Sequence, residues 1–432
     1  MAMFPLPASR VKQHLQRFLP EDSVDQSLRK LGTTFRKRKL SPGRSVHLLL
    51  LQLLHKTALS GLRHFTDSTA TASAICQARA RLPLRLMYVL VEQLAAVLLA
   101  HFKVKADALF HGLEVVLLDA TSFHTQDTSP LAKRYGKHRN QRKTVSGYPT
   151  PKLLCLINHA TGLITRAMTL PAHRQEHMCV KRMIAHLQPG QVVVAGRGLV
   201  SFMFLCELTQ AAVQACLRLP LLHMARAQGS RRILKVLGKG DLLVHWDKSP
   251  ARSKAYSRRA YAALPASLVL RQITYAVTRP GFRPKTITLI TTLLDPVEYP
   301  ACDLAELYLQ RWQIEVYFRD LKTSQGMNRM RGKSLASMRK ELLGHVLLYN
   351  LVRAVMLEAA ARQNVPAERI SFLDALRRLR HAAEGSDAAT LLINPVRNRP
   401  SEPRRIKGRQ YRFKSLTLPR EEYRKQLLRN AA

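Results

Sequence analysis

The sequence predicts a mixed α/β sheet that is interrupted by an inserted β-rich module and preceded by a helical N-terminal region. Three observations predict this fold class. Helical apolar periodicity fills about the first hundred residues, short β-branched runs then alternate with turns and helices, and a strand-rich block follows before helices resume near residue 303. We therefore expect five regions. They are residues 1–105, 106–211, 212–300, 301–362 and 363–432.

The first region, residues 1–105, is predicted to be helical. Leucines cluster in 46–54, and the segment 84–102 is apolar with a helical period. Between them, the segment 66–82 places cap-type residues before a basic helix. This helix is either a nucleic-acid contact or an ordinary surface helix with solvated arginines.

The second region, residues 106–211, shows the strands of a sheet. The run 114–119 (EVVLLD) is β-branched and ends in an acid, and 152–158 and 162–170 form a strand pair around the turn 159–162 (HATG). The buried-type strand 191–195 (QVVVA) comes next, before a glycine-containing turn and a helix. These patterns predict the first part of a mixed sheet.

The third region, residues 212–300, is predicted to be a β-rich insertion with Gly, Pro and Ser between its strands. The candidate strands are 213–219, 232–237, 241–246, 268–277 and 286–294. Helices return at about 303 and at 338–362, whereas the last 35 or so residues are polar, basic and proline-containing. We expect this final stretch to be a loosely held arm.

The charge of the chain is extreme, with 70 Lys and Arg against 28 Asp and Glu, or +42. A compact protein with this charge repels itself unless it meets a polyanion, and nucleic acid is the usual one. A ribosome-like basic protein or an anionic membrane surface are the alternatives. One dense basic segment contains Lys133 and Arg134, which either contact a DNA backbone or lie in a solvated loop.

Cysteine spacing and hydropathy indicate in which cellular compartment the protein is expected. The six cysteines include no CxxC pair and no metal-type spacing, which favours reduced thiols. The most apolar stretch, 86–102, contains Glu92 and Gln93 and is short for a membrane span. We expect a soluble cytoplasmic protein without a membrane partner.

A polar stripe on the predicted helix 303–322 is the first candidate for chemistry. Tyr308, Arg311, Glu315 and Lys322 follow one another at intervals of three, four and seven residues. On a regular helix they share an arc of roughly 60°. Glutamate can ligate Mg²⁺, and the two cations can hold phosphates. The alternative is an amphipathic helix with a solvated Arg311–Glu315 pair.

Asp119, at the end of the run 114–119, is the second candidate. An acid at the carboxyl end of a buried strand lies at the sheet edge where open α/β folds bind ligands. The alternative is an aspartate that caps the following turn.

The spacing Tyr308-x2-Arg311-x3-Glu315-x6-Lys322 resembles the YREK pattern of cut-and-paste insertion-sequence transposases, the IS-four group of DDE enzymes. The surrounding segments look like that family as well. They are 118–121 (LDAT), 291–296 (TTLLDP), 307–315 (LYLQRWQIE) and 349–353 (YNLVR). The resemblance covers about residues 60–360.

This resemblance implies a ribonuclease-H-like core in which three carboxylates hold two Mg²⁺ ions, with Mn²⁺ as a substitute. Asp119 and Glu315 would be the first and third acids, and Tyr308, Arg311 and Lys322 would contact DNA. It further implies double-stranded terminal inverted repeats and target DNA as partners, a homodimer on DNA, and a place on the bacterial nucleoid. We also expect the helical residues 1–105 to be a DNA-binding region.

The second acid of the family pattern is missing. In the segment 192–198 (VVVAGRG), Gly196 stands where the resemblance implies aspartate, and the next acid is Glu207. We therefore expect cleavage and strand transfer to be impaired and DNA binding, to which Arg197 would contribute, to be retained. Rescue by Glu207 or Asp241 is an alternative, as is a non-catalytic derivative that is repressor-like or domesticated.

Trp246, in the insertion, is a further candidate DNA contact. The transposases that the sequence resembles can flip a base during hairpin chemistry, and an exposed tryptophan would stack on it. The alternative is a tryptophan of the core or of a strand edge.

Overall fold

The computed structural model describes residues 10–36, 39–66, 68–104, 106–139, 145–171, 181–220, 231–250, 256–277, 285–381, 391–395 and 429. The chain divides into two compact units. The larger comprises residues 1–275 and 287–395, and the smaller comprises 276–286 and 396–432. Most of the predicted C-terminal arm lies outside the described residues.

The described part of the N-terminal region is helical, as predicted. Its α-helices are α1 (Arg10–Phe18), α2 (Glu21–Lys30), α3 (Pro42–His55), α4 (Ala72–Arg81) and α5 (Leu84–His101). The hydroxyl of Ser41 accepts the main-chain N–H of Arg44 and starts α3, and Thr71 starts the basic helix α4 in the same way.

Five strands form the core of the sheet. They are β1 (Glu114–Ser122), β4 (Lys152–Asn158), β5 (Ile164–Leu170), β6 (Gln191–Ala195) and β7 (Gln214–Arg218). Their order is β5-β4-β1-β6-β7, with β4 antiparallel to both neighbours and β6 parallel to both. This order and these directions are those of a ribonuclease-H-like core, so the predicted fold class is confirmed. Two short strands, β2 (Lys137–Arg139) and β3 (Val145–Pro149), pair separately.

The insertion extends this sheet instead of forming a module apart from it. Its strands are β8 (Arg231–Gly238), β9 (Asp241–Asp247), β10 (Ser267–Val277) and β11 (Lys285–Thr291), and they complete the nine-stranded order β5-β4-β1-β6-β7-β11-β10-β9-β8. The predicted boundary at 212 is wrong, because β7 pairs with β6 as the fifth core strand. The insertion therefore begins after Arg218.

Helices cover both faces of the sheet, because successive side chains of a strand point to opposite sides. Leu117 belongs to the core on one face and Leu118 to the core on the other. The remaining α-helices with described bounds are α6 (Ser129–Tyr135), α7 (Lys181–Ile184), α8 (Phe202–Gln210), α9 (Arg258–Ala262), α10 (Ala301–Gln310), α11 (Gln313–Arg319), α12 (Leu335–Gln363) and α13 (Phe372–His381).

The long helix α12 joins the N-terminal helices to the sheet. Both α12 and α5 are long and apolar enough to cross a membrane by length and composition, and 89% of the apolar window of α12 is buried inside the fold. It packs on α3, α5 and β5. The predicted N-terminal region therefore shares one hydrophobic core with the rest of the larger unit.

The segment 349–353 (YNLVR), part of the family resemblance, holds α12 against the β4–β5 hairpin. Asn350 accepts the main-chain N–H of Ile164 and donates to its carbonyl, both at 2.9 Å. The buried guanidinium of Arg353 donates twice to the carbonyl of Thr161 in the predicted turn. Because the side chains satisfy main-chain groups that are shut off from water, this motif serves the fold.

His345 makes the stability of α12 depend on pH. Its ring is buried, and the side-chain N–H of Gln325 donates to its Nδ1 at 3.0 Å and to its main-chain carbonyl at 2.7 Å. Burial, helped by the charges of Lys56 and Arg331, lowers the pKa of His345 from 6.5 to about 3. The folded state thus keeps the ring neutral at pH values where the unfolded chain protonates it.

We expect acidification below pH 6.5 to destabilise the fold through His345, by up to ~1.4 kcal/mol per pH unit until the pH reaches about 3. The measurement is urea unfolding at pH 7.0 and pH 5.5, for the natural chain and for His345→Gln, which keeps an acceptor for Gln325. The variant should lose about 1 kcal/mol less on acidification. Equal losses in both proteins would contradict the assignment.

Candidate active site

Asp119 and residue 196 lie side by side at the sheet edge. The parallel strands β1 and β6 pair Leu118 with Ala195, and the next residue of each chain segment is Asp119 and Gly196 respectively. The Asp119 carboxylate is partly buried, and its Oδ1 accepts the main-chain N–H of Ala120 at 2.8 Å. The sheet register therefore brings the first predicted acid next to the position of the missing one.

The predicted continuous helix 303–322 is wrong in its geometry. Helix α10 ends at Gln310, α11 starts at Gln313, and a π-helical turn (Asp320–Ser324) follows α11. At the junction, the Arg311 N–H donates to the carbonyl of Tyr308 three residues back. Both the narrower turn at Arg311 and the wider π-helical turn depart from 3.6 residues per turn. The predicted arc of roughly 60° for the polar stripe therefore does not apply.

Arg311 joins the two predicted acids. Its Nη1 is 2.8 Å from Oδ2 of Asp119, and its Nη2 is 3.4 Å from Oε1 of Glu315. The side chain of Arg311 is 16% exposed, against 24% for Asp119 and 44% for Glu315. One guanidinium therefore compensates two partly shielded carboxylates, and it lies where the acids converge.

Gly196 opens toward this cluster. A Cβ built on Gly196 would have one heavy atom within 4 Å, the Nη1 of Arg311 at 3.9 Å, apart from its own chain neighbours. Its φ of −82° and ψ of 178° are extended backbone that any residue adopts. The fold therefore leaves room for a side chain at position 196, beside Arg311 and Asp119.

The other stripe residues, Lys322 and Tyr308, have separate environments. Lys322 Nζ donates to Oγ1 of Thr121 at 3.2 Å, and burial lowers the pKa of this amine. Lys322 lines an open groove of about 460 Å³ with Asp119 and Glu315. Tyr308 is 6% exposed, and the Arg311 guanidinium lies 5.8 Å from the centre of its ring. Tyr308 therefore supports Arg311 from inside the fold.

The remaining predicted DNA contacts fall into two groups. Lys133 and Arg134, on α6, and Arg197, in the turn after β6, are exposed. Trp246 is 7% exposed and packs in the second core, with its ring 6.4 Å from that of Phe202. The prediction that Trp246 stacks on a base is wrong, because its ring is covered by the core.

Neither alternative acid completes the site. Glu207 pairs with Lys181 at 3.2 Å, and Asp241 is held by Arg271. Neither acid lines the groove, and no group of three or more His, Cys, Asp or Glu in the described part of the chain is placed to hold a metal. Two carboxylates bridged by arginine do not fit the donor set of a two-metal site.

Sequence reasoning missed two contacts of this site. The spacing of four residues indicated the Arg311–Glu315 pair, but the contact of Arg311 with Asp119 joins residues 192 positions apart. The contact of Thr121 with Lys322 spans 201 positions. The position of Thr121 in the LDAT segment could have predicted its contact with Lys322. Thr121 follows Asp119 by two residues, so both side chains lie on the same face of β1.

Comparison with known proteins shows the class. Residues 110–351, more than half of the chain, match the family described as the transposase DDE domain. The chain therefore belongs to the DDE transposase family, of the type encoded by IS4 elements.

Two bacterial proteins are similar to it. Over 255 residues it is 28% identical to the transposase InsG for insertion sequence element IS4 of Escherichia coli (strain K12). This match covers 58% of this chain and 53% of InsG. Over 197 residues it is 25% identical to the putative transposase InsZ of the same strain. This match covers 44% of this chain and 65% of InsZ. The chain thus spans between about half and two thirds of the curated relatives it matches.

A cryo-EM structure of a piggyBac transposase synaptic complex with hairpin DNA is also similar. It is 10% identical, the comparison covers 95% of this chain and 91% of that one, and the TM-score is 0.41.

Proposed function

We propose that this chain is a transposase that binds the inverted-repeat ends of an insertion sequence, and that its own cleavage and strand transfer are impaired. The carrying observation is Gly196 beside Asp119, with Arg311 bridging Asp119 and Glu315. Family membership supports DNA phosphoryl transfer as the ancestral reaction. The residues present supply two of the three expected carboxylates.

The groove can bind DNA without completing the reaction. Lys322 and Arg311 place two cations beside Asp119 and Glu315, and exposed Arg197 follows the gap in the acid set. With the chain at +42, phosphates are attracted whether or not a divalent cation is present. Because Arg311 already compensates both acids, DNA binding should not require Mg²⁺ to relieve their repulsion.

Partners and location follow from this proposal. The ligands are double-stranded terminal inverted repeats and target DNA, bound by a homodimer on the nucleoid in the bacterial cytoplasm. A copy that binds ends without cutting them would act as a repressor of related elements. The same glycine at position 196 favours that non-catalytic role as the second candidate.

We expect the protein to bind a duplex carrying the terminal repeats that flank its gene at least tenfold more tightly than a scrambled duplex. The affinity should be the same within about twofold in Mg²⁺ and in EDTA, since no metal-dependent step is needed for binding. Mobility-shift titrations at one fixed salt concentration measure both ratios. Equal affinity for repeat and scrambled DNA would contradict the proposed function.

A further inference from the structure

A second concavity lies next to the π-helical turn and has no part in the site described above. We call it the basic pocket; it encloses about 400 Å³. The polar side chains of its lining include Lys56, Arg79, Gln126, Gln325, Arg329 and Arg331. Four of these are cations, so the pocket is a concentrated positive site.

The cations of the basic pocket outnumber the acids among its described lining residues. Glu341 is the one acid among the described lining residues, and it is buried. Its carboxylate accepts the main-chain N–H groups of Arg331, at 3.0 Å, and Gly332, at 2.7 Å. Glu341 carries one negative charge against the four cations, so the pocket keeps an excess of positive charge.

Two of the four cations are engaged by neighbouring groups of the chain, although one of them, Arg331, is exposed. Arg331 donates to the carbonyls of Thr57 and Lys56, and Arg79 donates to the side chain of Gln52 at 2.8 Å. Lys56 and Arg329 are exposed lining residues. These last two side chains are therefore the ones to meet a ligand.

The basic pocket follows the active-site groove along the chain. Strand β1, which carries Asp119, ends at Ser122, and His124 then pairs with the segment around Arg329. The His124 N–H donates to the carbonyl of Asn328 at 3.1 Å. Five residues of extended chain span at most about 17 Å, which corresponds to about five nucleotides of one DNA strand at 3.4 Å each.

We propose that the basic pocket binds a backbone phosphate of the DNA end, within about five nucleotides of the phosphate that faces Asp119. The inference rests on the proposed function, because it takes DNA in the groove as the starting point. A phosphodiester supplies the negative charge that Lys56 and Arg329 lack among the described residues, and the polar amides of Gln126 and Gln325 border the same space. The contact reads charge and position, not base sequence.

The test is the salt dependence of duplex binding by Lys56→Gln/Arg329→Gln. Loss of one phosphate contact should make the slope of log K against log salt shallower by about 0.9 and weaken binding about tenfold at moderate salt. The matched control is Lys239→Gln/Arg258→Gln, which removes one exposed lysine and one exposed arginine from the insertion. The control should change the slope by less than about 0.5.

Repeat and scrambled duplexes should give the same change in slope, because a backbone contact is independent of sequence. Failure of the proposed function shows as equal affinity for the two duplexes, whereas failure of this inference shows as equal slopes for the pocket and control variants. The single reversal Arg329→Glu, with circular dichroism as the fold check, should weaken duplex binding further. The inference would be overturned if the pocket variant bound the duplex as tightly as the natural chain but was no longer stabilised against unfolding by inorganic phosphate. That result would assign the pocket to a small anion.

Discussion

Gly196→Asp should raise Mg²⁺-dependent nicking of the end duplex by about three orders of magnitude or more. The variant restores a third carboxylate next to Asp119, with Glu315 across the groove. A metal ion stabilises transition-state charge by several kcal/mol, and ~4 kcal/mol corresponds to about a thousandfold in rate. The natural chain should bind the same duplex and cut it at the limit of detection.

The fold tolerates this substitution. Residue 196 has an extended backbone, and the nearest group that the new Cβ would meet is the end of the flexible Arg311 side chain, at 3.9 Å. A carboxylate at 196 also offers Arg311 another partner, which weakens its hold on Asp119. Both effects raise the capacity of the site for a divalent cation.

Nicking of a labelled end duplex in Mg²⁺, Mn²⁺ and EDTA measures the effect. Gly198→Asp is the matched control, because it adds the same charge two residues away, at an exposed position of the same turn. Asp119→Asn in the Gly196→Asp background should return nicking to the level of the natural chain. Natural protein that cuts as fast as Gly196→Asp would refute the proposed impairment.

The sheet edge that carries Asp119 was predictable because residues that end two paired parallel strands lie next to each other. An apolar run that ends in Asp119 and a second that ends before Gly196 become neighbours as soon as β1 and β6 pair in parallel. The order of elements along the chain followed from the alternation of runs and turns, whereas the ribonuclease-H-like arrangement of the strands was implied by the family resemblance. The sequence therefore predicted that Asp119 and residue 196 are neighbours, and the resemblance implied that an acid is missing at 196.

The helix that carries Glu315 was less predictable. The helix propensities of Arg311 and Trp312 do not predict a break. Nevertheless, the helical turn is narrower at Arg311, where the hydrogen bond spans three residues, and wider in the π-helical turn. Tertiary contacts select this path, since Arg311 pairs with Asp119 and Lys322 with Thr121. Such long-range contacts lie outside what helical periodicity can express.

The role of the insertion was predicted in part. Its strands were expected, but their continuity with β7 depends on β11, which returns antiparallel to pair with the core. Trp246 illustrates the same difficulty, because alternation along β9 did not say which face would be covered. The second core covers it, and the insertion is therefore part of the sheet that supports the active site.

Arg271→Met should destabilise the larger unit by about 3–5 kcal/mol. Arg271, on β10, is 0% exposed and forms a two-point ion pair with the buried Asp241 of β9, with Nε–Oδ1 at 2.8 Å and Nη2–Oδ2 at 2.5 Å. Its Nη1 also donates to the carbonyls of Asp295, at 3.2 Å, and Tyr299, at 2.6 Å. Methionine fills much of the volume but leaves the carboxylate and both carbonyls without these donors.

Urea unfolding of three variants separates the causes of this loss. Arg271→Met/Asp241→Leu should lose less stability than Arg271→Met alone, because the double variant leaves no unpaired buried carboxylate. Arg232→Met, on the exposed side of β8, should change stability by less than about 0.5 kcal/mol. A double variant no more stable than the single one would show that lost packing, not the stranded charge, sets the cost.

The position of Arg271 gives this ion pair a consequence for the active site. Its carbonyl partners lie in the loop that leads into α10, and α10 ends next to Arg311. Loosening the pair should therefore disturb the guanidinium that holds Asp119 and Glu315 as well as lower stability. In the Gly196→Asp background, Arg271→Met should reduce nicking even at temperatures where the protein stays folded, while Arg232→Met should leave it unchanged. Unchanged nicking in folded Arg271→Met protein would confine the pair to a structural role within the insertion.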